Sequence, residues 1–475
     1  NAYRITDDNA SRRGLPNGRH LSYSEAEQMF LKHLNNVGDQ DIVAFSGKIT
    51  TLRWQEEMAQ IVRKHQPDTF IVSGNGLATE IRMGLFNWIP ELDGIARSEG
   101  DDAILIIARD AKLIKERGWA GAINSGKLSP FYKGEVNGRH RFMYEGNRPS
   151  NLDEIPYGAL DLLESDPYGH NVLEDYINVP VWGIAANNSS ATPFTMKRSL
   201  TTVSSRGCPY ACAFCYRGAQ GERNYGMRSP EHIAKQVKKL TPVFKEYGLD
   251  SVRWGTHTRM DEADARLYDM AESGCVYIGF GAESAAENTL INMKKGGFIL
   301  KNGLTSTQVN GRTYHFPTTM VNAVKNCRSA NVHGNCTWIM AYPGETLKDL
   351  QTSVAFITWQ QDFWTKGTTR GSSEYERMRS GVNRKMFTAT AYPGTEMWKV
   401  VKPQLQEHFD ISFNTFGQPE CDENFHHYVS ELDDATKILN DKNGNPVNFG
   451  ELSLDTFLQA REHIDNDEIE KILDI

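Results

Sequence analysis

Three thiols fall close together in the run Arg206-Gly207-Cys208-Pro209-Tyr210-Ala211-Cys212-Ala213-Phe214-Cys215-Tyr216. The spacing Cys208-x3-Cys212-x2-Cys215 lets a single loop wrap three corners of an iron–sulfur cube. A [4Fe–4S] cube has four irons, so three local thiolates leave one iron without a protein ligand. Catalytic metal centres keep such an open position, whereas structural centres close it. Other uses of these thiols fit less well. A zinc site needs a fourth ligand, and the nearest downstream histidine, His232, falls in a predicted helix. A ferredoxin-type run carries a fourth cysteine close by, and none follows here. A redox pair of Cys212 and Cys215 leaves Cys208 unexplained.

Cys-x3-Cys-x-aromatic-Cys, with Phe214 in the aromatic slot, resembles the signature of the radical S-adenosylmethionine (SAM) superfamily. The resemblance implies that Cys208, Cys212 and Cys215 hold a [4Fe–4S] cluster whose free iron binds SAM, and that one electron splits the S–C5′ bond to give a 5′-deoxyadenosyl radical. It also implies that Phe214 and Tyr216 lie by the adenine. Gly281-Ala282-Glu283-Ser284 resembles the family's Gly-x-Glu-Ser element, which implies that Glu283 and Ser284 sit near the ribose and methionine groups of SAM. Polar residues capping a strand end are common, but this set follows Tyr277–Phe280 and precedes a helix, as a barrel site does. Tyr342-Pro343-Gly344-Glu345-Thr346 resembles the family's Pro-Gly-Glu-Thr turn, and Tyr392-Pro393-Gly394-Thr395 the element after the last core strand.

The first part of the chain resembles the cobalamin-binding domain that precedes many radical SAM cores. The residues that carry this likeness are Phe45-Ser46-Gly47, Ser73-Gly74-Asn75-Gly76-Leu77-Ala78-Thr79 and Ser98-Glu99-Gly100-Asp101. Each set ends a predicted strand, where doubly wound sheets bind ligands. The resemblance implies that Ser46, Gly47, Ser73, Gly74, Asn75, Gly76, Ala78 and Glu99 face cobalamin. The usual first strand is missing, with Tyr3–Asp7 taking the place of the second, and the Asp-x-His-x-x-Gly motif of base-off cobalamin enzymes is absent. Gly74-x-Gly76-x-x-Thr79 also matches a dinucleotide fingerprint, but Thr79 replaces the third small residue and the motif alone is weak.

These residues need strands and helices to position them. Asp41–Ser46, Thr69–Ser73 and Gly94–Arg97 read as strands, Leu52–His65 and Ala78–Trp88 as helices, and Ala103–Ala108 continues the alternation, which predicts a parallel sheet with helices on both faces. Gly126–Ser199 reads as a connecting region with a hairpin near Gly138, and Arg148–Leu163 as the way into the next unit. A strand at Thr201–Ser204 runs into the cysteines. Ser229-Pro230-Glu231 caps a helix toward Lys239 that Pro242 stops. Strands at Tyr277–Gly281, Cys336–Ala341 and Lys385–Ala391, with a helix at Leu347–Trp359, suit a β/α barrel. Gly297–Thr319 reads as an extra loop, and Leu454–Ile475 as one or two amphipathic helices. Leu249–Trp254 passes straight into Gly255-Thr256-His257 where the family has a loop and helix, and the first residue is Asn1, so segments are expected to be missing at both places.

The expected fold is therefore α/β. A doubly wound, Rossmann-like cobalamin-binding domain (1–147) leads through a linker (148–199) to a partial (β/α)6 TIM-type radical SAM barrel (200–400) and a small, mostly helical C-terminal region (401–475). A chain of 475 residues exceeds one ordinary core. Its formal net charge of −8 argues against a general nucleic-acid surface, and no apolar run is long enough to span a bilayer. Seven cysteines, three of them clustered, and no visible secretory signal fit a reducing, cytoplasmic setting. Cys275, Cys327 and Cys336 read as buried thiols, and Cys421 with His426-His427 lacks a standard metal spacing. Arg228 and Arg259 suit a carboxylate or phosphate as well as they suit surface ion pairs. The resemblance implies a cobalamin-dependent C-methyltransferase acting on a small molecule and fed by flavodoxin or ferredoxin. The alternative is a radical cyclase or rearrangement enzyme, and a fully ligated iron–sulfur sensor is the non-enzymatic reading.

Overall fold

The structure, a computed structural model, describes residues 22–129, 132–136, 138–164, 171, 173, 202–217, 225–236, 253–433 and 437–475. The predicted strand at Tyr3–Asp7, most of the linker beyond residue 164, Lys239, Pro242 and most of Leu249–Trp254 lie outside them.

The first layer set begins with helix α1 (Tyr23–Val37), whose capping box uses Ser22 and Glu25. Then come β1 (Ile42–Ser46), α2 (Leu52–His65), β2 (Phe70–Gly74), α3 (Asn75–Ile81), β3 (Gly94–Ser98), α4 (Ala103–Asn124), β4 (Tyr132–Val136) and β5 (Arg139–Gly146). The five strands form one sheet in the order β1-β2-β3-β5-β4. Every pair is parallel except β4 with β5, which turns at Gly138 and closes the edge. Successive side chains of a strand point to opposite faces. Phe70 and Val72 accordingly join Ile107, Ala111 and Tyr144 on the α4 side, while Ile71 joins Leu52, Val62 and Leu77 on the other. Both faces are covered, which accounts for the nearly continuous apolar run of β2. The hairpin at Gly138 thus belongs to this sheet rather than to a connecting region.

Downstream, β6 (Ser205–Gly207) pairs antiparallel with β7 (Tyr225–Met227) just before and after the cysteines. The strand is therefore shifted from the expected Thr201–Ser204. The second main sheet contains β8 (Trp254–Arg259), β9 (Cys275–Glu283), β12 (His333–Met340) and β13 (Phe387–Thr388), all parallel, in the order β13-β12-β9-β8. Helices α5 (Arg266–Glu272), α6 (Thr318–Ser329) and α7 (Leu347–Thr365) connect them. Among the described residues this parallel sheet has four strands, against the six expected of the barrel, and Lys385–Ala391 contributes only Phe387 and Thr388. Gly297–Thr319 is not a loop: it forms the hairpin of β10 (Leu304–Val309) and β11 (Arg312–Pro317), turning at Asn310-Gly311 with positive φ at both. The expected Ala78–Trp88 helix starts earlier, at Asn75, and breaks at Arg82, whose φ is 57°.

Helices α8 (Glu423–Ser430) and α9 (Leu454–Asp465) are divided between the two cores: Phe425 and Tyr428 pack with the first sheet, Phe457 and Ile464 with the second. Arg384 fastens the end of the chain by bonding Glu470 at 2.5 and 2.6 Å and Asp467 at 2.6 Å. No helix among the described residues is long and apolar enough to cross a membrane.

The Pro-Gly-Glu-Thr turn after β12 carries a buried acid. Glu345 Oε2 accepts the Ala341 N–H at 2.5 Å, and burial pushes its pKa up to about 8. An acid whose folded pKa lies above its unfolded value favours the folded state least once it must ionise. Glu345 therefore erodes stability as pH rises from about 4.5 to 8, by up to about 1.4 kcal/mol per pH unit. Glu345→Gln is expected to gain stability relative to the parent chain across that window, with the gap closing at pH 5. Urea-unfolding midpoints at pH 5 and 8 check this, and a pH-independent gap refutes it.

Candidate active site

Gly207, at φ +82°, ends β6 and sends the chain into the cysteine loop. Cys208 and Cys215 are exposed and Cys212 is half-buried. Ala213, between the last two cysteines, is buried and fastens the loop twice: its N–H donates to Met293 O at 2.9 Å and its carbonyl accepts from Met397 N–H at 2.8 Å. Burial raises the Cys212 pKa, Lys295 and Arg259 lower it, and Cys208 raises it. Burial, then Cys212 and Cys208, raise that of Cys215. The three sulfurs therefore share one small region, and metal binding would draw off their protons. Among the described residues no group of three or more His, Cys, Asp or Glu side chains, the three cysteines included, is already gathered closely enough to hold a metal ion. Cys275, Cys327 and Cys336 are buried elsewhere, as expected, and Cys421 lies against Gly84. By donor type, three thiols with no fourth ligand beside them among the described residues would suit an iron–sulfur cube with one open iron.

The surrounding side chains divide differently from expectation. Glu283 ends β9 at φ +65°, with Oε1 3.2 Å from Lys295 Nζ and Oε2 accepting from Thr337 Oγ1 at 3.3 Å. Lys295 is 4% exposed and donates to Gly281 O, so a buried ion pair stands beside the loop. Phe214 packs under Lys295, whose Nζ is 5.9 Å from the ring centre, and edge-on to Tyr342 at 6.5 Å. Ser284, expected at the SAM ribose or methionine, is fully buried instead. Its hydroxyl meets Ser353 Oγ at 3.0 Å and accepts the Ala286 N–H at 3.1 Å, which fixes the turn out of β9. Tyr216 reaches the first sheet: its hydroxyl bonds Glu80 and Thr79, and its ring lies 3.9 Å from where a Cβ on Gly76 would stand.

A cleft of about 450 Å³ opens at the C-terminal ends of β1, β2 and β3. Such a size is ordinary for a small-molecule site. Of the eight residues that the resemblance sets at cobalamin, Ser46, Gly74, Asn75 and Glu99 line it. The other four do not. Ser73 is buried and donates to Gln55 Oε1 at 2.6 Å, and Ala78 is buried. Gly47 lets α2 come near, since a Cβ there would stand 2.0 Å from Thr51 Oγ1, and Gly76 packs against Lys48. Ser98 and Asp101, from the same strand-end set as Glu99, also line the cleft, as does Arg206, to which the sequence assigned no role. Arg206 bonds Asp101 at 2.5 Å and Glu99 at 3.1 Å, and Arg148 bonds Glu99 at 2.9 Å. Thr79, the odd residue of the dinucleotide fingerprint, accepts the Ser98 N–H at 3.1 Å.

The rim of this cleft depends on a close backbone approach. A Cβ on Gly146 would stand 1.6 Å from the Glu99 carbonyl oxygen. Gly146→Ala is therefore expected to displace residues 99–101 and to cost about 1–3 kcal/mol. Denaturant unfolding measures the loss, and an unchanged midpoint would contradict the approach.

No protein-family model matches the chain. The chain is 24% identical over 409 residues to an uncharacterised methyltransferase of Pyrococcus horikoshii, covering 80% of the chain and 72% of the relative. It is 22% identical over 290 residues to the anaerobic magnesium-protoporphyrin IX monomethyl ester cyclase of Rubrivivax gelatinosus, covering 55% of the chain and 47% of that protein. Among solved structures it is similar to the cobalamin-dependent S-adenosylmethionine radical enzyme OxsB with aqua-cobalamin bound, at a TM-score of 0.55 and 15% identity, over 88% of this chain and 59% of that one. The radical S-adenosylmethionine methyltransferase TsrM of Kitasatospora setae, with tryptophan and a SAM analogue bound, gives 0.50 and 12% identity over 94% and 80%. The chain thus spans little more than half of OxsB and under half of the cyclase. Through its mixed α/β layers and parallel sheets, the chain shares the fold of the cobalamin-dependent radical SAM enzymes, the family that its cysteine loop resembles.

Proposed function

We propose that the chain is a radical SAM enzyme that uses cobalamin to methylate an unactivated carbon of a small molecule. In this reading residues 1–147 bind the corrinoid, 148–199 link, 200–400 form the radical core and 401–475 complete it. One observation carries it. The cysteine loop is tied at both ends to the first sheet's layers, through Arg206, which lines the cleft and bonds Asp101, and through Tyr216, which bonds Glu80 of α3. In this reading the tethers hold the thiols beside the cleft, so that a substrate held between them would meet both.

Cys208, Cys212 and Cys215 would hold the cluster, and Glu283 with Lys295 would offer one acceptor and one donor to the polar groups of SAM. Ser46, Gly74, Asn75 and Glu99 would meet the corrinoid. When bound, the cluster supplies the electron that splits SAM and the corrinoid supplies a transferable methyl group. The chain holds the reacting groups in line and keeps water from the radical. A flavodoxin- or ferredoxin-type donor would supply the electron.

The likeness to the cyclase supports a second reading, in which the same radical drives ring formation or rearrangement. Anaerobic reconstitution with iron, sulfide, cobalamin, SAM and dithionite tests the first. Bound-cobalamin absorbance together with 5′-deoxyadenosine is the expected pair of signals. With a substrate in hand, methylated product and S-adenosylhomocysteine mark methyl transfer, whereas 5′-deoxyadenosine without methyl gain marks the second reading. Zinc in place of iron in anaerobically purified protein would overturn both.

A further inference from the structure

Arg259, the last residue of β8, stands at the same end of the second sheet as the cysteine loop. It pairs in register with Gly281 of β9, two residues before Glu283. Its side chain is only 13% exposed, and Nη1 lies 4.0 Å from Cys212 Sγ. The guanidinium is held from two sides. Nε bonds Asp261 Oδ1 at 2.8 Å, and the planar group lies 3.9 Å above the centre of the Tyr210 ring. Tyr210 is itself fixed, its hydroxyl donating to Glu262 at 3.2 Å and its ring meeting Phe298 edge-on at 5.5 Å. Nη2 is buried with no hydrogen-bond partner. An ordinary structural ion pair spends the fork of an arginine on its carboxylate. Here the carboxylate takes only Nε and both terminal nitrogens are left over.

We propose that Arg259 is a positioning residue that sets the reduction potential of the cluster on Cys208, Cys212 and Cys215 by presenting the edge of its guanidinium to the Cys212 sulfur. The proposal rests on the radical SAM reading. Reduction adds one electron, taken from an external low-potential reductant, and makes and breaks no bond in the protein. The added negative charge spreads over the sulfurs, so a fixed cation and N–H donors beside one of them favour the reduced state. The other nearby cation, Lys295, is less suited to this, because Glu283 and the Gly281 carbonyl already engage it. Arg259 therefore makes the cluster easier to reduce than its loop alone would.

The test uses the full chain, reconstituted anaerobically with iron and sulfide. Iron and sulfide are counted, and the midpoint of the one-electron couple is read by electron paramagnetic resonance at poised potentials. Arg259→Gln is expected to keep its cluster and to shift the midpoint negative by about 59 mV or more, a tenfold change in the reduction equilibrium. Arg259→Lys keeps the charge but not the fork that reaches Asp261 and Cys212 together, and its midpoint is expected to fall between the two. A full cluster with an unchanged midpoint in Arg259→Gln overturns the proposal. Should that variant fail to fold or to hold iron, an unchanged midpoint in Arg259→Lys with full iron overturns it equally. A parent protein that takes up no cluster at all refutes the underlying reading instead, so the two failures are told apart.

Discussion

Cys212→Ala is expected to reduce 5′-deoxyadenosine formation by about a thousandfold or more, to the level of a protein-free control. Three sulfurs are the whole protein ligand set of the proposed cluster, and a loop left with two cannot hold a cube by three corners. Bound iron and sulfide should fall with the activity. The fold should not, because the loop is fastened through the main chain of Ala213 rather than through the thiol. The cleft of the first sheet lies on other residues, so uptake of aquacobalamin, followed by its visible absorbance, should persist. Retention of deoxyadenosine formation in this variant would end the cluster assignment.

Trp338→Ala is expected to cost about 3–5 kcal/mol, the largest stability loss proposed for this chain. Trp338 is fully buried in the middle of β12 and packs at 5.7 Å ring separation against Phe356 of α7. Its effect should also reach the site. The pairing of β12 with β9 shifts register between Thr337 and Trp338, which sets Trp338 opposite Glu283. That shift belongs to the same stretch in which Glu283 takes its positive φ and in which Thr337 supports its carboxylate. Emptying the Trp338 site is expected to loosen the packing beside that shift. Urea unfolding gives the first quantity. A loss of under about 1 kcal/mol would mean that the neighbours collapse into the space, which the crowded aromatic layer around Phe316, Phe356 and Trp359 opposes.

Much of this architecture was legible because burial writes a period into the residues. Leu52–His65 matches its helix at both ends, and the strands at Ile42, Phe70, Gly94 and Cys275 were located within about two residues, since each buries apolar side chains on a regular spacing. Three features escaped. The hairpin at Leu304–Pro317 is rich in Thr, Ser and Gln with a polar outer face, and such a strand carries little hydrophobic signal. The break at Arg82 depends on a positive φ at a residue type that does not advertise one. Lys385–Ala391 has the apolar spacing of a strand, yet only two residues find a partner, because pairing is decided by β12. In the candidate site, the cysteines stand out in the sequence through their spacing. Ser284 did not, because whether a hydroxyl faces a ligand or a helix depends on a partner 69 residues away. The role proposed for Arg259 was equally hidden, since it rests on Tyr210, Asp261 and Cys212 converging from two segments.

The two main-chain bonds of Ala213 have a consequence for how the protein is loaded and for how it ages. Small metal-nucleated domains are unfolded until their ion arrives. Here the receiving segment is already stitched to Met293 and Met397 by peptide groups that ask nothing of iron. If the proposed cluster is bound there, neither of these two bonds needs it, so loss of its inorganic core to oxygen would leave both fastenings of the loop in place.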